Sequence, residues 1–381
     1  MELIKKTQDL DSDWINWKWQ NKNSIRDLTS LRDYSEKLGG DYLKEIESNI
    51  KTRKLSITPY FLQLIIKTLS CSDISEHPLW RQVIPFWDES NFESYDGETE
   101  NWELDHEMKT PICQHKYDNR VIVRISNSCI SYCQFCFEAL RTLEIKTEKS
   151  SVSKDSLRQT ISYIKKNKSI EEVILSGGDP LMLSDKVIEK ILYEIRAVNE
   201  NILIRIHSRS LTFNPFRITN ELVEIFKKYK VNSFGVHICH PLEISSDFKL
   251  AISKLQSAVP IVFSNMPFLK GVNDNDKILH ELFIELYRIG VKPYYLYHFM
   301  PFSPGANEYK VSVDKAIDIM GKLKRKISNI AMPEYVLPHS KGKYTVPLIK
   351  KTSDQPYFNN IDGKRFYNFL NWEGEWCQWE S

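Results

Sequence analysis

A chain of 381 residues is two to three times an ordinary domain, and 52 basic against 50 acidic residues leave a net charge of only +2. With both signs interspersed there is no electrostatic case for nucleic acid or an anionic membrane as partner, and 41% apolar content excludes a disordered chain. The opening MELIKKTQDLDSDW carries acids where a signal peptide has its apolar stretch, and no window approaches the ~18 uninterrupted apolar residues of a membrane helix, so the expected location is cytoplasmic.

In chain order, residues 1–105 read as a polar helical region, in pieces such as SIRDLTSLRDYSEKL and GDYLKEIESNIKT with apolar residues three and four apart. The acidic, turn-rich stretch FWDESNFESYDGETENWELD at 86–105 reads as a connection. Residues 106–300 then carry six β-branched runs: VIVRI (121–125), EVILS (172–176), ILIRI (202–206), NSFGVHI (232–238), PIVFS (260–264) and YYLYHF (294–299). Amphipathic stretches near 153–167, 185–199, 218–229, 245–257 and 275–289 separate them. Strands with room for a crossover helix between them imply a parallel sheet, here an α/β partial (β/α)6 barrel. Residues 301–381 read as a small C-terminal β region that closes the barrel, with TVPLIK, an Asp362–Gly363 turn and EGEWCQW as short antiparallel strands.

The seven cysteines are Cys71, Cys113, Cys129, Cys133, Cys136, Cys239 and Cys377. An odd number in a long chain without an export signal argues against a disulfide framework. Cys129, Cys133 and Cys136 fall in SNSCISYCQFCFE, a C-x3-C-x2-C spacing directly after the first strand of the barrel. Loops at the carboxyl ends of barrel strands build active sites. Thiolates this close suit zinc or an iron–sulfur cluster; structural zinc wants a fourth ligand, and no second Cys or His pair of suitable spacing follows. Three thiolates on a four-iron cluster leave one iron open, as a catalytic metal requires.

This motif, with Phe135 just before its third cysteine, resembles the cluster loop of the radical S-adenosylmethionine (SAM) enzymes. WINWKWQ, LSITPYF (55–61), LSGGDPLML (175–183), PFRIT (215–219), LKGVNDN (269–275) and VKPYYLY (291–297) then resemble, in order, the lysine 2,3-aminomutase family. The resemblance implies a [4Fe–4S] cluster on Cys129, Cys133 and Cys136, its open iron chelated by SAM, which is cleaved to a 5′-deoxyadenosyl radical. It places SAM at the Gly177–Gly178–Asp179 turn, where glycines admit close backbone approach, with Ser208, Arg209 and His237 as candidates for the same cavity. It also implies pyridoxal phosphate (PLP), with Lys116 and Arg120 on its phosphate, Asn265 beside it where the family has a glutamine, and Lys343 as the linking lysine, Lys341 being second choice in the shortened HSKGKYTVP. An electron donor such as flavodoxin or ferredoxin and a small amino acid or amine substrate complete the expectation.

At the substrate positions the sequence departs from the family. The arginine that grips the substrate carboxylate is here Glu138, and the two aspartates that hold the ε-ammonium of lysine correspond to Met300 and Leu337. A carboxylate facing a carboxylate repels, and a buried cation without acids lacks its partners. The expected substrate is therefore not lysine. It has a neutral or apolar far end and a cationic or hydroxyl-bearing group near Glu138. The leading reading is amino migration assisted by PLP. The alternatives are PLP-independent elimination, epimerisation or dehydrogenation with Glu138 as base or anchor, and a non-catalytic iron–sulfur protein. The family's C-terminal zinc ligands are missing, Cys377 standing alone, so a homo-oligomer is left open. Cys71, Cys113 and Cys239 read as incidental thiols.

Overall fold

The structure is a computed structural model that describes residues 11–34, 47, 54–69, 74–86, 104–138, 152–300, 305–339, 342–348, 358–370 and 375–380. The expected helix GDYLKEIESNIKT apart from residue 47, residues 87–103 of the 86–105 connection, Cys71 and Lys341 lie outside them.

Ten strands form one open sheet in sequence order. They are β1 (Met108–Thr110), β2 (Cys113–Tyr117), β3 (Arg120–Ser126), β4 (Glu172–Gly177), β5 (Leu203–Ser208), β6 (Ser233–His237), β7 (Ile261–Pro267), β8 (Lys292–Tyr297), β9 (Glu334–His339) and β10 (Gly342–Thr345). From β3 to β9 every pairing is parallel. The β1–β2–β3 meander and the β9–β10 hairpin are antiparallel. All six expected parallel strands are present, and β9 adds a seventh where antiparallel structure was expected. Its sequence, EYVLPH, contains Pro338, which marks a run as a poor strand former. β10 ends at Thr345, where the expected strand TVPLIK begins. The Asp362–Gly363 turn joins β11 (Phe358–Ile361) to β12 (Lys364–Leu370), which pairs with β13 (Trp376–Glu380) in a separate three-stranded sheet.

The crossovers are helical for a local reason. Ser153, Thr219, Ser245 and Ser312 each accept a backbone N–H from the first turn of the helix they precede. Alternation along the strands then sorts their side chains. Val121, Val123, Val173, Leu175, Ile204 and Ile206 point outward into the core shared with the helices. Ile122, Ile174, Ser176, Arg205, His207 and Asn265 point inward and line a cavity. A second core joins the N-terminal helices α1 (Pro59–Thr68) and α2 (Pro78–Val83) to Ile130 of the cysteine loop and to Phe213. Among the described residues no helix is long and apolar enough to cross a membrane.

Candidate active site

The cysteine loop leaves β3 at Ser126 and is clamped by the N-terminal region. Ser56 Oγ donates to the Ile130 carbonyl at 2.8 Å, Ser131 Oγ to the Ser56 carbonyl at 2.6 Å, and Gln134 N to the Gln82 carbonyl at 3.0 Å. The segment LSITPYF, noted above only for its resemblance, thus satisfies backbone groups of the loop. Phe135 is buried against Tyr309, Leu269 and Phe299, and the Arg209 guanidinium lies 5.2 Å from its ring. Arg209 also donates to Cys133 Sγ at 2.7 Å and pairs with buried Glu243 at 3.4 Å.

The donor set fits an iron–sulfur cluster. Burial first, then the neighbouring Cys136, Asp179 and Cys133, pushes the Cys129 thiol well above its ordinary range. Thiolates in such surroundings need a cationic core to offset them. No three His, Cys, Asp or Glu side chains among the described residues gather around a single ion. A four-iron cluster has no need of that arrangement, because each thiolate takes a different iron.

Gly177 and Gly178 sit under the loop. Gly177 has φ of +121°, and a Cβ there would lie 2.2 Å from the Ser126 carbonyl oxygen; one on Gly178 would lie 2.6 Å from that of Ser128. Asp179 N donates to the Ser128 carbonyl at 2.9 Å. Glycine is thus required by the backbone of the cysteine loop itself, whatever ligand the turn also meets. Asp179 and Ser208 are buried and occupied with each other: Ser208 Oγ donates to Asp179 at 2.8 and 3.0 Å, and Arg209 N donates to Asp179 at 2.9 Å. This lock ties the ends of β4 and β5 together. Gly178→Ala is expected to cost about 2–4 kcal/mol, since backbone and not a flexible side chain must move. Iron content per chain after reconstitution, together with a thermal melt, checks it; wild-type loading and melting would contradict it.

One cavity connects the loop to the far end of the sheet. Its volume of about 220 Å³ is many times that of an ordered water site. Its wall includes Cys133, Phe135, Cys136, Glu138, Arg209 and His237, and also Asn265, Met300 and Lys343. Lys343, on β10, keeps access to the cavity, while its ammonium lies 4.8 Å from the Tyr295 ring and 5.3 Å from that of Tyr297. Loss of hydration, then the nearby Arg205 and Arg120 charges, pushes it down to about 8. His207 and His237 meet at 3.2 Å. Burial holds both neutral, His237 down at about 4 and His207 also well below its usual range. Asn265 Nδ2 approaches His207 Nδ1 at 3.5 Å, while His207 Nε2 and Asn265 Oδ1 are buried without a hydrogen-bond partner in the described structure. Such atoms suit a polar ligand.

Other expected residues stand differently. Glu138 lines the cavity but is not a free carboxylate: fully buried Arg124, on β3, donates to both its oxygens at 2.9 and 3.1 Å. Its charge is matched by that pair, so any role as base or anchor would be played by half of an ion pair. Arg124 also donates to Gln114 at 2.9 Å, Gln114 to Glu107 at 2.7 Å, and Lys116 to Glu107 at 2.8 Å. Lys116 is therefore held in a buried ion pair, whereas Arg120 stacks on Tyr117 at 4.1 Å. Leu337 packs on the outer core, and it is its strand neighbour Pro338 that faces the cavity with Met300. Sequence reading missed Arg124, Arg205, Glu172 and His207. The signal was charged and imidazole side chains at inward positions of VIVRI, EVILS and ILIRIH.

Residues 123–283 match the radical SAM superfamily. An L-lysine 2,3-aminomutase of Methanococcus maripaludis is 32% identical over 358 residues, covering 92% of this chain and 80% of that protein. A glutamate 2,3-aminomutase of Clostridioides difficile is 29% identical, covering 97% and 84%, and an L-lysine 2,3-aminomutase of Clostridium subterminale is 31% identical, covering 95% and 85%. Three cysteines on a clamped loop at the mouth of a parallel α/β cavity, in a chain aligned over most of its length with these proteins, have one explanation: this is a radical SAM enzyme of the lysine 2,3-aminomutase family, whose cofactors include a [4Fe–4S] cluster and SAM.

Proposed function

We propose that the enzyme is an aminomutase that moves an amino group to the neighbouring carbon of an amino acid or amine other than lysine, with PLP held by Lys343. The observation that carries this reading is a lysine with a depressed pKa on the wall of the same cavity that Cys133 and Cys136 line. Relatives named for lysine and for glutamate support a scaffold that accepts different side chains. Against lysine itself stands the wall: Glu138 is the one acid on it among the described residues, and Arg124 neutralises it.

When bound, the cluster and SAM supply a hydrogen-abstracting carbon radical, and PLP supplies the conjugated system that carries nitrogen. The chain's own residues do the rest. Lys343 offers an amine that is half neutral near pH 8, and Arg120 lies near enough to influence its charge. His207 and Asn265 present unpartnered polar atoms to the ligand, and Phe135, Phe299, Met266 and Met300 keep the cavity apolar. Apolar walls exclude water and limit side reactions of a primary radical. The net change is an isomerisation: one C–H and one C–N bond break on adjoining carbons, and one of each re-forms with the carbons exchanged. An electron donor such as flavodoxin or ferredoxin primes the cluster, in keeping with a cytoplasmic location.

Borohydride trapping after incubation with PLP tests the reading. A pyridoxyl group is expected on Lys343. Only the neutral amine attacks, so the capture rate should rise about tenfold per pH unit below about 8 and level off above it. Capture that climbs steadily to pH 10 would contradict the depressed pKa. Absence of the adduct would favour a PLP-independent reaction.

A further inference from the structure

The cavity wall is charge-matched from behind, which bears on the substrate class. Four ionisable groups that carry or can carry a fixed charge line the cavity among the described residues, apart from its imidazoles, thiols and phenols: Glu138, Arg205, Arg209 and Lys343. Arg205 is closed by Glu172, with three contacts of 2.6 to 2.9 Å. Arg209 is closed by Glu243, Gln82 and Cys133. Glu138 is closed by Arg124, which is itself held by Gln114. Lys343 has its ammonium pushed down to about 8 and, on the function proposed above, is taken up by PLP. Arg120 stacks on Tyr117 and bonds Asn119, toward the Lys343 end.

We infer that the substrate is an aminoacyl group with a free amine and a carboxyl masked in an amide or ester, and not a free amino acid. A free carboxylate entering this cavity would meet the Arg124–Glu138 pair, whose cation is already spent, in surroundings where an unmatched charge is costly. A neutral carbonyl meets no such penalty and can accept a hydrogen bond from His207 Nε2 in the tautomer that protonates this nitrogen, while Asn265 Oδ1 is open to accept one from a substrate N–H. A carbonyl is retained, and the group is not a plain amine, because a carbonyl beside the carbon that loses nitrogen delocalises the unpaired electron left there. The isomerisation balances as before, with the acyl linkage untouched. This deepens the proposed function and rests on it.

The test uses the anaerobically reconstituted enzyme with SAM and PLP. Lysine, leucine and phenylalanine are compared with their amides and with the corresponding amines that lack a carboxyl, reading both the absorption change of the lysine-linked cofactor and substrate-dependent 5′-deoxyadenosine. For at least one side chain the amide should bind and react about tenfold or more better than the acid and the plain amine. Glu138→Gln removes the carboxylate that matches the Arg124 charge and should shift the preference toward the free acid. The double variant Arg124→Gln/Glu138→Gln should keep the preference for the amide, and it serves if the single variant does not fold. Acids equal to or better than amides, plain amines equal to amides, or silence from every probe would each overturn the inference. Failure of the parent reading looks different: no pyridoxyl on Lys343, with the acid-to-amide ratio still readable from deoxyadenosine.

Discussion

Replacing Lys343 with alanine is expected to abolish the pyridoxyl adduct and to lower amino migration by about a thousandfold or more. Reduction of SAM in the absence of substrate should continue. The split follows from position. Lys343 lies on β10, on the cavity wall, with its ammonium against the rings of Tyr295 and Tyr297, which lie on β8 and outside the cysteine loop. Among the described residues Lys116 is a poor alternative, because it is tied to Glu107 in a buried pair at 2.8 Å and would have to leave that partner to reach the cofactor. Peptide mass spectrometry after borohydride, run beside a deoxyadenosine assay, reads both halves. An adduct that simply moves to Lys341 with activity intact would refute the assignment, and loss of deoxyadenosine formation along with the adduct would show that Lys343 supports the fold instead.

The second large effect is on stability. Arg124→Leu removes the partner of Glu138 and of Gln114 at once, inside a sheet where Arg124 has no exposed surface. Breaking a buried pair from one side costs about 3–5 kcal/mol, because the remaining charge is uncompensated. In that variant Glu138 should take up a proton, its folded pKa raised above the unfolded one. A raised carboxyl pKa means that the folded state binds more protons, so stability falls as pH rises above about 4 and the penalty is largest near neutrality. Denaturation curves at pH 5 and pH 8 should therefore show the variant closer to wild type at the lower pH. Arg124→Leu/Glu138→Leu should recover most of the loss. Equal destabilisation at both pH values, with no rescue in the double variant, would mean that the pair contributes only shape.

Most of the barrel could be read from residue order, and the reason is physical. Runs such as VIVRI and ILIRI bury one face against helices whose caps, Ser153, Thr219 and Ser245, are written in the sequence at the expected places. β9 escaped because Pro338 interrupts its pattern and because its parallel pairing with β8 depends on the long α-helical crossover before it. The cysteine loop was legible from spacing alone. Its support was not: the Ser56, Gln82 and Asp179 contacts join segments tens of residues apart, and no local pattern encodes them. Glu138 is the instructive case. Its charge reversal stood out in the sequence, yet its meaning depended on Arg124, 14 residues earlier across the loop, which turns a repulsive carboxylate into half of a neutral pair.

On the proposed function this cavity isomerises an amine and does not oxidise, eliminate or epimerise it. Mass analysis of the product from the reconstituted enzyme, with a substrate carrying ¹⁵N at the amine, tests this directly. The expected product has unchanged mass and retains the label, with the nitrogen on the neighbouring carbon. A product lighter by two hydrogens or by ammonia, or one of unchanged mass with the nitrogen still on its original carbon, would contradict it.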